Sequence, residues 1–418
     1  MESRQLSQLR DLLGALSATN DFYAPRLRQA ELTSGPETIT EFIARCPFTE
    51  KRECVADQLA HPPYGTNLTF PLETYTRFHQ TSGSTGRPLR WLDTNESWSW
   101  MLGNWGEVYR AADVVPADRV YFAFSFGPFL GFWTAFESAL RIGCLCLPGG
   151  GLSSVARLGQ LLDQRATVLC CTPTYALHLA EVARREGIDL GKSAIRTIIV
   201  AGEPGGSLPA VRESLSKEWN GARIFDHHGM TEVGPVTYEC PKQSGRLHVI
   251  ESAYLAEIVN PETGTAVPRG DSGELILTTL GRKGSPLLRY RTGDLVRAAK
   301  AETCECGRSD LALDGGILSR VDDMVVVRGV NIYPGAVEQI IRDHGGVAEY
   351  QVEVLTHAAM TELEITAEPD SSQKDPDSFG KSLARAFENS LALRVPVNLV
   401  PPNSLPRFEL KAQRWIRR

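Results

Sequence analysis

The sequence predicts an α/β protein with a smaller second part at its C-terminal end. Three observations carry that expectation. Strand-like and helical stretches alternate through the middle of the chain, as in a sheet covered by helices. A segment punctuated by Gly and Pro, 256–279, reads as antiparallel β. Near Arg320 the chain changes character, and about 100 residues remain, enough for a small domain.

With 418 residues the chain is long enough for two or more domains and a large core. It is 42% hydrophobic and 22% charged with a net charge of −6, an ordinary globular composition. A mildly acidic chain with no basic block argues against a nucleic-acid binder. The C-terminal "LKAQRWIRR" is basic but short and reads as a solvated tail. Nine cysteines, an odd count, imply no disulfide framework and fit a reducing, cytoplasmic setting.

Taken in order, "MESRQLSQLRDLLGAL" has helical spacing and lacks the apolar core of a signal peptide. Residues 75–80 are strand-like. Residues 120–140 are long and nearly uncharged, as a membrane span would be. Phe126-Gly127-Pro128 breaks that run after a set of aromatic β-formers, so strand, turn and buried helix fit better, and no membrane partner is expected. Helices are expected at 154–164, 175–186, 210–218 and 335–342. Strands are expected at 168–171, 197–200, 256–259, 274–279 and 324–327.

The stretch "TSGSTGRP" (Thr81–Pro88) raises a functional question. Small polar residues are common in linkers. Gly83 and Gly86 also permit backbone turns that aim successive N–H groups at phosphate oxygens, with Thr81, Ser82, Ser84 and Thr85 adding hydroxyls. The Gly-Lys-Ser/Thr ending of the common P-loop is missing. Alone, the stretch supports both readings.

Five further stretches follow in order: "AGEPGG" (Ala201–Gly206), "HHGMTEVGP" (His227–Pro235), "YRTGDL" (Tyr290–Leu295), "SRVDDMVVVRGVNIYP" (Ser319–Pro334) and "LPRFELKAQR" (Leu405–Arg414). This series resembles the adenylate-forming acyl ligases, most closely their phenylacetate–CoA ligase-like branch. The likeness spans nearly the whole chain, including "DFYAPRLR" (Asp21–Arg28) and "CPFTEKREC" (Cys46–Cys54).

The resemblance implies the adenylate-forming ligase fold. Residues 1–320 would form a large N-terminal α/β domain with β-sheets, and residues 321–418 a small mobile α+β C-terminal domain. It also implies a reaction. A carboxylate and ATP give an acyl-adenylate and pyrophosphate, and a thiol then takes the acyl group. Two anions must meet, so positive charge and donors are needed where charge develops.

Residue by residue, the resemblance implies that Thr81, Ser82, Gly83, Ser84, Thr85 and Gly86 hold the departing phosphates. Glu203 and Pro204 would line the nucleotide site with Gly229 and Met230. Thr231 would hold the α-phosphate and Glu232 a Mg²⁺ ion, which takes one or two protein carboxylates. His228 stands where the branch commonly has a Tyr on adenine; imidazole also stacks but covers less area. Asp294 would accept the ribose hydroxyls after a Thr-Gly turn, with Arg320 supporting the ribose or α-phosphate. Asp322 matches the hinge, and Arg328 and Gly329 the thiol side. Lys411 would reach the acyl carboxylate and α-phosphate as a point charge. Leu410 precedes it where the branch has Gly.

The resemblance also implies that the walls of the acyl site fall on Phe126, Gly127, Phe129 and Gly131, and on Ala201, Gly202, His227, Gly234 and Pro235. The rings suit a flat aromatic acid by edge-to-face packing, although some must be core. Gly205-Gly206 would leave space there. Neither "FSFGPFLGFW" nor "AGEPGG" holds a cation for a second carboxylate, so a monocarboxylic aryl acid is expected. Cys240 and His248, with Cys304 and Cys306, read either as a four-ligand zinc site from two loops or as free thiols and a surface imidazole. The expected partners are ATP, the acid and coenzyme A. Delivery to a carrier-protein phosphopantetheine and a non-catalytic sensor on the same fold are the alternatives. The oligomeric state stays open, a homodimer included.

Overall fold

The computed structural model describes residues 1–81, 88–203, 205–321, 323, 325–327, 330–357, 360–370, 373, 375–391, 393–408 and 412–417. The first helix, Glu2–Thr19, buries Leu9, Leu12, Leu13 and Leu16, the i, i+3, i+4, i+7 set that lies on one helical face.

The middle of the chain forms a five-stranded parallel sheet. Its order is Leu145–Pro148, Arg119–Phe122, Val168–Cys171, Thr197–Val200, Arg223–Asp226. Two of these strands, Val168–Cys171 and Thr197–Val200, match the sequence expectation residue for residue. Both faces are covered. Val168, Cys170 and Ile199 join one core, and Leu169, Cys171, Ile198 and Val200 join the other. The alternation follows from the two-residue period of a strand buried on both sides. Residues 120–140 resolve as a strand and the helix Gly131–Ile142. Among the described residues no helix is long and apolar enough to cross a membrane.

Three expected helices begin one or two residues early, at Pro173, Pro209 and Pro334. Proline is well placed at the first helical position, where its missing N–H has no partner to lose. The 256–279 segment is antiparallel as expected. Tyr254–Val259 pairs with Ser272–Thr279, then Tyr290–Arg297 and Ser319–Arg320 follow.

Beyond Arg320 a separate core runs from Val325 to Val395. It lies under a four-stranded sheet ordered Val397–Leu399, Met360–Pro369, Val347–His357, Trp415–Arg417. Residues 412–417 are therefore not a solvated tail. Trp415–Arg417 pairs in parallel with Val347–His357. Arg414 is buried, with Nε donating to Glu349 Oε1 at 2.6 Å. Two carboxylates, Glu349 and Glu338, draw this basic residue inward.

Candidate nucleotide and acid site

The loops after the parallel strands leave from one end of the sheet, the usual place for a ligand in an open α/β sheet. They hold Thr172–Thr174, Ala201–Ser207 and the run from His227. The glycine-rich stretch lies at a second junction. Tyr75–Gln80 and Arg90–Thr94 are antiparallel neighbours. Thr81 N donates to Leu89 O at 2.9 Å, and Leu89 N donates to Thr81 Oγ1 at 3.0 Å. These bonds pinch the two ends of 82–87 together, so the stretch connects paired strands and does not link domains. Ser82, Gly83, Ser84, Thr85, Gly86, Pro204, Asp322, Arg328, Gly329 and Lys411 lie outside the described residues, with Leu410.

One buried arginine ties this junction to the Thr231-Glu232 turn. Arg282 is fully buried; its Nε and Nη2 donate to the two carboxylate oxygens of Asp93 at 2.7 and 2.6 Å. Its Nη1 donates to Thr231 O at 2.9 Å and Glu232 O at 2.7 Å. The planar, forked guanidinium suits this double task. Nothing in the sequence signals Arg282 or Asp93.

Glu232 is itself buried, and Lys51 Nζ lies 3.2 Å from its Oε1. A buried carboxylate needs a compensating cation. Lys51 is the first residue of the helix Lys51–Ala60. A single buried carboxylate, paired now with a half-exposed ammonium, fits a magnesium ion that brings phosphates and water as its other ligands.

Asp294 is in the strand Tyr290–Arg297, not beyond a turn. The signal read as a turn is Gly293, whose φ of +74° is left-handed. A Cβ there would lie 2.5 Å from Arg320 Nη2. Arg320 Nη1 donates to Asp294 Oδ1 at 3.1 Å, and His228 Nε2 lies 3.1 Å from Asp294 Oδ2. His228 thus faces the expected ribose acceptor.

His227 is buried, its ring 4.4 Å from Trp105 and its Nδ1 2.6 Å from Thr237 O. Burial pushes its pKa down to about 3, so it is neutral at physiological pH. Gly229 and Met230 pair with Gly234 and Pro235 in a two-residue ladder just after it.

The aromatic stretch divides. Phe124 is buried and stacks on Phe132 at 3.7 Å between centroids, so these rings are core. Phe126 is half-buried, edge-on to Trp133 at 4.7 Å, and Trp133 Nε1 donates to Gly127 O at 2.9 Å. Phe129 is exposed, and Gly131 opens the following helix. Ala201 is buried and Gly202 exposed at the rim of the sheet. Gly206 does not leave open space: a Cβ there would lie 2.3 Å from Asp226 Oδ1 and 2.7 Å from Val200. Its small size serves close packing of that loop on the sheet.

The four metal-ligand candidates do converge. One ligand atom from each of Cys240, His248, Cys304 and Cys306 lies within 4.8 Å of the others. His248 is on a strand, Arg246–Val249, and not on a loop. Cys240 Sγ and Cys304 Sγ are 3.6 Å apart, and Cys306 Sγ and His248 Nε2 are 3.5 Å apart. Tetrahedral zinc with ordinary bond lengths would space sulfurs roughly 3.8 Å apart and sulfur from nitrogen roughly 3.5 Å. The residues therefore fit zinc. His248 Nδ1 lies 3.2 Å from Asp310 O, the usual orienting partner of a metal-bound imidazole. Burial alone would raise the Cys304 thiol, but the Cys306 backbone N–H and Arg246 hold its pKa below the ordinary value.

Residues 77–281 match the AMP-binding enzyme family, and residues 329–418 match the AMP-binding enzyme C-terminal domain. The chain is 30% identical to phenylacetate-coenzyme A ligase of Escherichia coli K12 over 89% of this chain and 84% of that one. It is 29% identical to phenylacetate-coenzyme A ligase of Thermus thermophilus over 98% of this chain and 94% of that one. Among solved structures, 2-hydroxyisobutyryl-CoA ligase in its postadenylation state with an acyl-AMP superposes with a TM-score of 0.93 at 27% identity. That match covers 99% of this chain and 89% of the other. The same ligase in its thioesterification state gives 0.74 at 28% identity, over 100% of this chain and 89% of the other.

This fold and this constellation define an AMP-forming acid–thiol ligase, which adenylates a carboxylic acid with ATP and transfers the acyl group to coenzyme A. The chain belongs to the adenylate-forming ligase family, in its phenylacetate–CoA ligase branch.

Proposed function

We propose that the acid is an aryl monocarboxylate and that free coenzyme A is the acceptor. The observation that carries the acid assignment is the half-buried Phe126, set edge-on to Trp133 in a stretch without a lysine or arginine. Such walls accept a ring by edge-to-face contact and offer nothing to a second carboxylate. The likeness to phenylacetate–CoA ligases supports the same reading.

The roles follow from charge. Thr81 and residues 82–86 receive the β- and γ-phosphates. Arg282 fixes the backbone from which Thr231 meets the α-phosphate and Glu232 the metal. Magnesium, when bound, neutralises phosphate charge as pyrophosphate departs. Asp294 and Arg320 hold the ribose, and His228 closes the nucleotide side. Lys411 supplies a cation between the two reacting anions. The division falls at Arg320, with Asp322 as hinge, so that Arg328 and Gly329 reach the thiol side after rotation. Zinc at Cys240, His248, Cys304 and Cys306 is structural, because four protein ligands leave no open position. Nine cysteines with no disulfide among them suit a reducing compartment such as the cytoplasm.

A second reading has one observation behind it. The neighbour with a TM-score of 0.93 is a ligase of a small hydroxy acid. ATP–pyrophosphate exchange with benzoate, phenylacetate, ring-substituted benzoates and 2-hydroxyisobutyrate separates the two. Exchange with aryl acids at least tenfold above 2-hydroxyisobutyrate is expected. The opposite order assigns the pocket to aliphatic acids. A carrier-protein acceptor would leave AMP release unaffected by free coenzyme A.

A further inference from the structure

Among the described residues of the C-terminal stretch 403–417, two tethers reach the N-terminal part, and they bracket residues 409–411. On one side, Arg407 donates from Nε to Glu181 Oε2 and from Nη2 to Glu181 Oε1, both at 3.3 Å. Glu181 lies on the helix Pro173–Arg185. On the other side, Ala412 N donates to Glu203 Oε2 at 2.9 Å.

Both acceptors are built into the N-terminal part. The other oxygen of Glu203 accepts from Thr174 N at 2.8 Å and from Thr174 Oγ1 at 2.5 Å. Arg407 is also fixed from its own side. Its Nη2 donates to Glu368 Oε1 at 2.6 Å, and its Nη1 donates to Glu368 Oε2 at 3.0 Å and to Leu405 O at 3.1 Å. Glu368 additionally accepts from the backbone of Asn403 and Leu405, which stiffens the approach to the catalytic segment. The guanidinium is thus held rigidly and presents its outer edge to Glu181. His178 and Arg407 together hold the Glu181 carboxyl down to about 2, so it is fully ionised at neutral pH.

We propose that Glu181 and Glu203 are positioning residues for adenylation: they dock Arg407 and Ala412, which flank Lys411 in the sequence, onto the N-terminal part and so favour this arrangement of the two parts. The inference rests on the assignment of Lys411 to the first half-reaction. This arrangement superposes on a postadenylation structure with a TM-score of 0.93 and on a thioesterification structure with 0.74. Both tethers join the two parts, so a rotation between the parts separates donor from acceptor in each. A contact made in one arrangement only biases the equilibrium toward it by its own free energy. Glu203 then serves as a post for the C-terminal loop, a different task from lining the nucleotide site.

The test compares the two half-reactions in Glu181→Gln, Arg407→Lys and the double variant Glu181→Gln/Glu203→Gln. Acyl-adenylate formation is followed by pyrophosphate release in single turnover. Thioester formation is followed from the synthetic adenylate plus coenzyme A. The acid is whichever supports the fastest exchange in the unmodified protein, so the outcome does not depend on its being aromatic. A partly exposed ion pair contributes up to about 1 kcal/mol, so Glu181→Gln should slow adenylation about 2- to 5-fold. The double variant should slow it further, and Arg407→Lys should retain an intermediate rate. Thioester formation by Glu181→Gln and Arg407→Lys should stay within about twofold. Adenylation by the unmodified protein should also weaken with added salt more than that of Glu181→Gln, since the pair is partly solvated. Equal loss in both half-reactions, or no loss in either, overturns the proposal. Selective loss of adenylation in Lys411→Ala, measured alongside, keeps that result separate from failure of the Lys411 assignment itself.

Discussion

Glu232 shows what a motif reveals and what it leaves out. The sequence places it in a Thr-Glu pair with a metal role, and the structure adds Lys51 at its carboxylate and Arg282 beneath its carbonyl. Lys51 lies inside a stretch already singled out, yet one lysine among many gives no signal of its contact. Arg282 and Asp93 are 189 positions apart, and no local pattern joins them. If the Glu232 carboxylate binds the metal, Glu232→Gln should shift the Mg²⁺ dependence of pyrophosphate release upward by roughly tenfold, because a neutral amide coordinates weakly. An unchanged titration would move the ion elsewhere. Histidines make a second residue-scale prediction. His79 and His227 are buried, and burial lowers them to about 4 and about 3. Unfolded histidine binds its proton near pH 6.5, so the unfolded chain takes up protons first and stability falls as pH drops below that value. Each buried histidine contributes a loss of up to about 1.4 kcal/mol per pH unit between pH 6.5 and 5, while Glu239, raised by burial to about 7, takes up its proton first in the folded protein and offsets part of that loss. The difference isolates His79: urea midpoints at pH 7, 6 and 5 should fall more steeply in the unmodified protein than in His79→Gln. Equal slopes would mean that the His79 ring accepts its proton in the folded protein.

Elements with strong local signals were legible, and those completed by distant partners were not. The strand Val168–Cys171 is a short apolar run between helical patterns, and its ends fall where expected. The helices begin at Pro173, Pro209 and Pro334, one or two residues before the expected starts, because a proline's fixed φ suits the first helical position although it carries no apolar periodicity. The strand Trp415–Arg417 looked like a basic tail because its counter-charges, Glu338 and Glu349, lie far upstream. The thiol cluster shows the reverse case. Two cysteine-containing stretches suggested one site, and the fold brings them together through the three-stranded sheet of Thr237–Glu239, Arg246–Val249 and Ala312–Asp314. Cys304→Ser should lower zinc content from about one per chain to near zero. It should also lower Tm by roughly 5–10 °C, because metal bound only by the folded site adds to folding free energy. Elemental analysis and a thermal melt check both. Stoichiometric protein without zinc, equally stable after chelation, would leave the cluster as thiols and an imidazole.

At the scale of the whole molecule, the C-terminal part has its own core and meets the rest of the chain through polar tethers such as Arg407 with Glu181 and Ala412 with Glu203. Contacts of that kind can be exchanged at low cost, unlike a shared apolar core, and alternation between two half-reactions needs such an interface. The sequence showed the order of the motifs and the change of character near Arg320, but not which side chains join the two parts. The central claim is that one chain activates an aryl acid with ATP and hands it to free coenzyme A. The direct measurement is the product balance of purified protein with aryl acid, ATP, Mg²⁺ and coenzyme A. One aryl-CoA, one AMP and one pyrophosphate per turnover are expected, with AMP release accelerated by coenzyme A. ADP and phosphate as products, or aryl-AMP that accumulates unchanged when coenzyme A is added, would contradict the claim.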